Sequence, residues 1–268
     1  MENATGFLIE NGVLNGYVGN DESIVIPHGV TKIARRAFCG CKTVSSVKIP
    51  DFVRIIGESA FCDCINLKSV AIEEGVTEME QYAFSGCVGL TDVTLPKTLI
   101  GIPPYAFRGC ASLKSVRIAD GVPMLFAGAF ERCTSLTDIV VPRSVSIIPA
   151  YAFRGCTSLS TVTLHDGIKA VYDSAFENCT GLKSVTVPEG VAAIHKGAFY
   201  GCRMLSDVTL PSSVRFMGSG AFYGCDSLTA VAFSGTEELW RTVIFGEENT
   251  VGNDMNAAFN GVKVNFLL

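Results

Sequence analysis

Histidine occurs three times and tryptophan once in 268 residues, and no stretch is strongly basic or continuously apolar. The histidines, His28, His165 and His195, are scattered, with no His-Glu-x-x-His zinc pattern. Neither Gly-x-Ser-x-Gly nor a phosphate-cradling glycine loop leading into a helix is present. The sequence therefore predicts no catalytic residue, no metal and no cofactor. The net charge of −5, without a run of Lys or Arg, removes electrostatic support for nucleic-acid binding. No run approaches the roughly 18 apolar residues that a membrane-spanning helix needs. The opening Met-Glu-Asn-Ala-Thr-Gly lacks the basic region and apolar core of a secretory signal. Two expectations follow: a cytoplasmic protein, or an exported one whose leader has been replaced by a start Met.

What the chain does have is a period. Phe38, Phe61, Phe84, Phe107, Phe130, Phe153, Phe176, Phe199 and Phe222 recur every 23 residues, each after Ala and each three residues before Cys. Such a run means one supersecondary unit stacked on copies of itself, since a coil this thin buries its apolar face only against its neighbours. Six residues past each Phe stands Val44 or a Leu, at nine Val or Ile, and at eleven Ile, Leu, Val or Phe. The last two columns alternate with polar residues and are rich in β-formers, so each coil carries a short strand. Pro50, Pro96, Pro142, Pro188 and Pro211 end it, because proline has no N–H to donate to a ladder.

Ala, Phe and Cys of each Ala-Phe-x-x-Cys fall on one side of a single helical turn. Before the Cys stand Gly40, Asp63, Gly86, Gly109, Gly155, Asn178, Gly201 and Gly224, residues that accept a left-handed backbone and stop such a turn; Arg132 is the exception. Coils ending in Pro alternate at first with coils bearing Gly two positions later (Gly75, Gly121, Gly167), a 46-residue super-repeat. The expected fold is a solenoid with one parallel sheet of about ten strands, roughly 45 Å long at about 4.8 Å per strand. Turns and extended segments form its other face.

The ends depart from the repeat. Residues 1–23 contain Asn11-Gly12 between apolar runs, a hairpin signal, and form an N-terminal cap. Residues 24–233 are the solenoid. Residues 234–268 form a C-terminal cap, with a short helix around Trp240 and a closing strand through Val262, Val264 and Phe266.

Nine of the eleven cysteines lie in the inward column, where Cys acts as a small apolar residue. Cβ vectors stacked in parallel suit a disulfide poorly, so free buried thiols are expected there. Cys39 and Cys62 stand outside the column, leaving two readings: a disulfide, or a four-sulfur site with Cys41 and Cys64. Zinc sites prefer wider spacing than Cys-x-Cys, which disfavours the second.

The string Ala-Phe-x-Gly-Cys-x-x-Leu-x-x-Val-x-Ile-Pro-x-x-Val-x-x-Ile resembles the BspA-like leucine-rich repeats of bacterial proteins. Residues 24–233 carry it, with Phe153 to Pro188 following it closely. The flanks Ile9-Glu10-Asn11-Gly12-Val13-Leu14 and Gly235-Thr236-Glu237-Glu238-Leu239-Trp240 are also similar. The resemblance implies a leucine-rich-repeat solenoid and a non-enzymatic, secreted or cell-surface binding protein, some relatives being adhesins toward host matrix proteins. The expected partner is a protein or a glycan, with a monomer favoured.

Strand residues between the inward ones face solvent, and a surface of small side chains lets a partner approach the backbone closely. The ligand-binding candidates are Asp92, Ser115, Arg117, Asp138 and Thr161, where a guanidinium falls between carboxylates. Two plainer accounts compete. Strand surfaces favour Ser and Thr in any case, and Arg117 would pair weakly with a neighbouring Asp. The alternative function is a structural, self-associating solenoid.

Overall fold

The computed structural model describes residues 6–246 and 262–267. It is a β-solenoid whose coils form two compact units, residues 1–136 and 137–268. In the first unit Ser23–Val25, Ser46–Ile49, Ser69–Ile72, Asp92–Leu95 and Ser115–Ile118 form one parallel sheet. Each residue pairs with the one 23 positions on, as Ser46 with Ser69 and Ser69 with Asp92. The return path, expected to be merely extended, makes a second ladder. Lys32–Ile33, Ile55–Ile56 and Glu78–Met79 pair in parallel beside Val13–Tyr17.

The second unit has the same two faces. Its long strands fall into two stretches: Asp138–Val140 with Thr161–Thr163, then Ser184–Thr186, Asp207–Pro211, Ala230–Ser234 and Lys263–Phe266. On its other face Ile147–Ile148, Ala170–Val171, Ala193–Ile194, Phe216–Met217 and Ile244–Phe245 form one ladder. The solenoid expectation holds, whereas the single ten-strand sheet is corrected to these shorter ladders on two faces.

The Ala-Phe-x-x-Cys segment is also corrected. It is a run of overlapping turns, and among the described residues the one α-helix is Glu237–Trp240. Two residues per coil have positive φ. One column is the predicted stop, from Gly40 at 73° to Gly224 at 73°, and Arg132 joins it at 58°. The other lies two residues before each Phe: Arg36, Ser59, Tyr82, Tyr105, Gly128, Tyr151, Ser174, Gly197 and Gly220, at 53° to 63°. These two reversals turn alternate N–H groups along the stack. Arg36, Phe38 and Gly40 donate to Glu58, Ala60 and Cys62 on the next coil, at 3.0, 2.7 and 2.7 Å. The N–H groups between them close local turns, as Cys39 to Arg36 and Cys41 to Phe38. A helix would satisfy backbone groups only within its own coil; this arrangement ties coil to coil.

The phenylalanine rings stack with centroids 4.7 to 5.5 Å apart from Phe38 to Phe130, and 5.1 to 5.3 Å apart from Phe153 to Phe222. Each is almost wholly buried, so the column is core in both units. The super-repeat has a local cause at Gly75: an added Cβ would overlap the Asp51 carbonyl on the preceding coil, so only glycine fits.

At the N-terminal end Phe7–Glu10 and Val13–Tyr17 form the expected hairpin. Asn11 and Gly12 both take positive φ, as a two-residue hairpin turn requires. Tyr17 leans on Phe7 and Phe38, covering the first ring of the stack. At the other end Thr236 caps the short helix by accepting from Leu239 N–H at 3.2 Å. Trp240 is fully buried, edge-on to Phe233 at 4.9 Å. Lys263–Phe266 then closes the sheet, setting Val264 beside Val231 and Phe266 beside Phe233.

Candidate functional site

The outward residues of the long strands form two registered rows. In the first unit Ser23, Ser46, Ser69, Asp92 and Ser115 make one row, and Val25, Lys48, Ala71, Thr94 and Arg117 the other. Asp92, Ser115 and Arg117 are all exposed, and Ser115 lies directly beside Asp92. Arg117 stands beside Thr94 and forms no ion pair with Asp92. The Asp92 carboxylate instead accepts from the Thr91 hydroxyl at 2.8 Å. In the second unit Asp138 and Thr161 are exposed neighbours in their own strand pair. Asp138 is likewise held by Thr137 at 2.8 Å, and Asp207 by Ser206 at 2.6 Å.

These hydroxyl–carboxylate pairs orient the acceptors on the strand face, and sequence reading passed over them. Their signal was present: Thr91-Asp92, Thr137-Asp138 and Ser206-Asp207 occur at one repeat position. Lys48 is tied to Glu73 at 2.8 Å. That hydrogen bond raises the Lys48 pKa and lowers that of Glu73, so both stay charged.

The lysine's fixed charge bears on catalysis. The sequence holds a Ser-x-x-Lys, Ser45 to Lys48, that motif reading overlooked. A serine nucleophile there would need a neutral lysine as base, whereas Glu73 keeps this one protonated. Ser45 donates instead to the Glu22 carbonyl at 3.1 Å. The histidines are engaged elsewhere: His165 Nδ1 accepts from Gly167 N–H at 3.0 Å, and His195 stacks on Tyr172 at 4.6 Å.

The thiol column is inert for a physical reason. Burial pushes the Cys110 thiol up to about 12 and raises Cys179 well above the usual range. Cys87 and Cys202 are raised first by side-chain hydrogen bonding with Cys64 and Cys225, then by burial. Seven of the thiols also have a structural task missed in the sequence. Cys64, Cys87, Cys110 and Cys133 reach back to the carbonyls of Phe38, Phe61, Phe84 and Phe107 at 3.0 to 3.2 Å. Cys179, Cys202 and Cys225 do the same to Phe153, Phe176 and Phe199. Cys41 departs from the column in being half-buried.

Cys39 and Cys62 form a disulfide across adjacent coils, Cα atoms 4.6 Å apart. Of the two readings left open for this pair, the disulfide is the one that forms. With Cys64 buried and donating to Phe38, the four-sulfur arrangement is not assembled. Asp63 lies close to the bridge, its carboxylate within 4.8 Å of both sulfurs. No helix among the described residues is long and apolar enough to cross a membrane.

Comparison with known proteins agrees with this geometry. A leucine-rich repeat protein from Bacteroides ovatus superposes with a TM-score of 0.67 at 26% identity, over 97% of this chain and 74% of that one. The Treponema pallidum leucine-rich repeat protein gives 0.50 at 28%, covering 86% of each chain. The pneumococcal vaccine antigen PcpA gives 0.52 at 17%, over 94% and 80%, a likeness of fold. No curated protein matches the sequence. The model of the BspA type leucine-rich repeat region matches in six copies, over residues 9–137 and 124–251. The 23-residue coil, its Phe and Cys columns and its inward aliphatic strand positions are thus those of that repeat, and the chain belongs to the BspA-type leucine-rich repeat family.

Proposed function

We propose that this protein is a non-enzymatic binding module that recognises a protein or glycan partner through the exposed faces of its long strands. The observation that carries the reading is the row structure of those faces. Short polar side chains stand in register with oriented carboxylates, and Arg117 extends from the same face with its guanidinium uncommitted to Asp92. Guanidinium is suited to carboxylate and sulfate groups through paired donors. The candidate contacts are Asp92, Ser115 and Arg117 in the first unit, and Asp138 and Thr161 in the second. The Cys39–Cys62 disulfide supports an oxidising location, in keeping with a secreted or cell-surface role.

The test is a screen against extracellular-matrix proteins and a glycan panel, with wild type beside Arg117→Ala and Asp138→Ala. Loss of about tenfold in affinity, equivalent to about 1.4 kcal/mol, is expected in at least one variant. Unchanged binding in both would remove these residues from the contact surface.

A second reading, self-association, has its own observation. In the second unit Ile147, Ala170, Ala193, Phe216 and Ile244 form one registered row, with Ile244 66% exposed and Ile147 37%. Concentration-dependent oligomers dispersed by Ile244→Lys, together with no hit in the ligand screen, would favour it.

A further inference from the structure

In the first unit, beside the entry to the strands, lies an open polar groove of about 320 Å³. Its lining is ordered by the repeat. Asn20, Thr43 and Asn66 occupy one position of three successive coils, and Glu22, Ser45 and Lys68 the position two residues on. Between these columns Val44 and Leu67 point inward and are buried, so the flanking side chains are turned outward. Lys42 also lines the groove.

Backbone and side-chain bonds hold the lining in place. Ser45 N–H and Lys68 N–H donate to the carbonyls of Glu22 and Ser45. The Asn66 amide reaches the Lys42 carbonyl at 2.7 Å, tying the second loop to the first. The disulfide joins the same two coils, three residues before Lys42 and four before Asn66. Beyond the groove the first column continues as Gly89 and Ser112, too short to wall a site.

The chemistry of the lining selects a ligand class. Lys42 and Lys68 are exposed and make no ion pair among the described residues, so neither ammonium group is neutralised by direct contact. One carboxylate, Glu22, stands against them. The remaining groups are two carboxamides and two hydroxyls, a type that both donates and accepts as sugar hydroxyls do. Ser45 gives its proton to the Glu22 carbonyl and Asn66 one of its amide protons to the Lys42 carbonyl, leaving their oxygens to accept. No aliphatic or aromatic side chain lines the groove to anchor a peptide. Its size lies at the lower end of the range of about 300–1,000 Å³ for small-molecule sites.

We infer that this groove binds an anionic saccharide, the two lysines holding a carboxylate or sulfate while Asn20, Glu22, Thr43, Ser45 and Asn66 meet its hydroxyls. The site is separate from the strand-face contacts and is tested separately from them. The probes are trigalacturonate, a sulfated uronate–glucosamine disaccharide, neutral maltotriose and a short polyglutamate peptide, titrated calorimetrically into the intact protein. At least one of the two anionic saccharides should bind, ten times or more tighter than maltotriose and the peptide, and weaken as salt is raised. Lys42→Ala with Lys68→Ala should lower that affinity about tenfold or more with the thermal midpoint unchanged, while Arg117→Ala should not affect it. Failure of both anionic saccharides to bind up to about 1 mM would overturn the assignment. So would equal binding of maltotriose or polyglutamate, or unaltered affinity in the lysine double variant.

Discussion

At the scale of single residues, the cysteine column carries information that a hydrophobic reading misses. Val or Ala would fill the space of Cys64 or Cys110 but would leave a Phe carbonyl without its inter-coil donor. The column's burial was legible from its register with Phe; its hydrogen bond was not, because the partner lies 26 residues back and emerges only when coils stack. Exposure separates Cys41 from the rest, and oxidation separates Cys39 and Cys62. A thiolate within reach of the reagent is needed for alkylation; burial restricts that reach along the column, and the pKa is raised at Cys87, Cys110, Cys179 and Cys202. Native protein treated with a maleimide should therefore modify Cys41 rapidly and the eight buried thiols slowly. Cys39 and Cys62 should react only after reduction. Peptide mapping of the labelled sites would check this, and fast labelling of Cys110 or Cys179 would contradict the buried column.

At the scale of the element, the turn around each Phe shows where sequence patterning stops being sufficient. The spacing of Ala, Phe and Cys fits one face of a helix equally well, so periodicity alone chose the wrong local structure. The stop after Phe was readable because Gly, Asn or Asp fills eight of its nine positions. The earlier reversal was hidden, since Arg36, Ser59, Tyr82, Tyr105, Tyr151 and Ser174 hide the hint from Gly128, Gly197 and Gly220. Stacking imposes the left-handed backbone on those residues: the inter-coil bonds from Arg36, Ser59 and Tyr82 require it. In the later column, at the stop after Phe, Arg132 alone takes positive φ where every other coil uses Gly, Asn or Asp. A left-handed non-glycine residue carries a cost of about 1 kcal/mol that glycine avoids, partly offset by glycine's greater unfolded-state freedom. Arg132→Gly should accordingly raise stability by up to about 1 kcal/mol in urea unfolding. A loss of stability would show that the arginine side chain contributes more than its backbone strain costs.

At the scale of the whole molecule, repetition explains both what was readable and what was not. Core positions recur nine times, so noise averages out and the solenoid stands clear in one sequence. The outward positions proposed for binding vary from coil to coil, which leaves each with a single example and no pattern. Asp92, Ser115 and Arg117 could be placed on an outward face, yet the polar groove of the first three coils could not be found until their loops were set side by side. The same logic makes the ends special. In a stack stabilised by neighbour contacts, the last coil has a partner on one side only. Trp240 supplies part of the missing contact, filling the space against Phe233 and Phe245. Replacing it with Ala should cost about 3–5 kcal/mol locally, the usual range for a buried aromatic. Because coupling in such stacks runs through adjacent coils, that loss should fray the end before it melts the rest. Hydrogen exchange on Trp240→Ala should thus show reduced protection in Ala230–Ser234 and Lys263–Phe266, with Ser184–Thr186 still protected. Uniform loss of protection across all these strands would instead mean that the second unit unfolds as one cooperative block, with the cap holding every coil rather than the last.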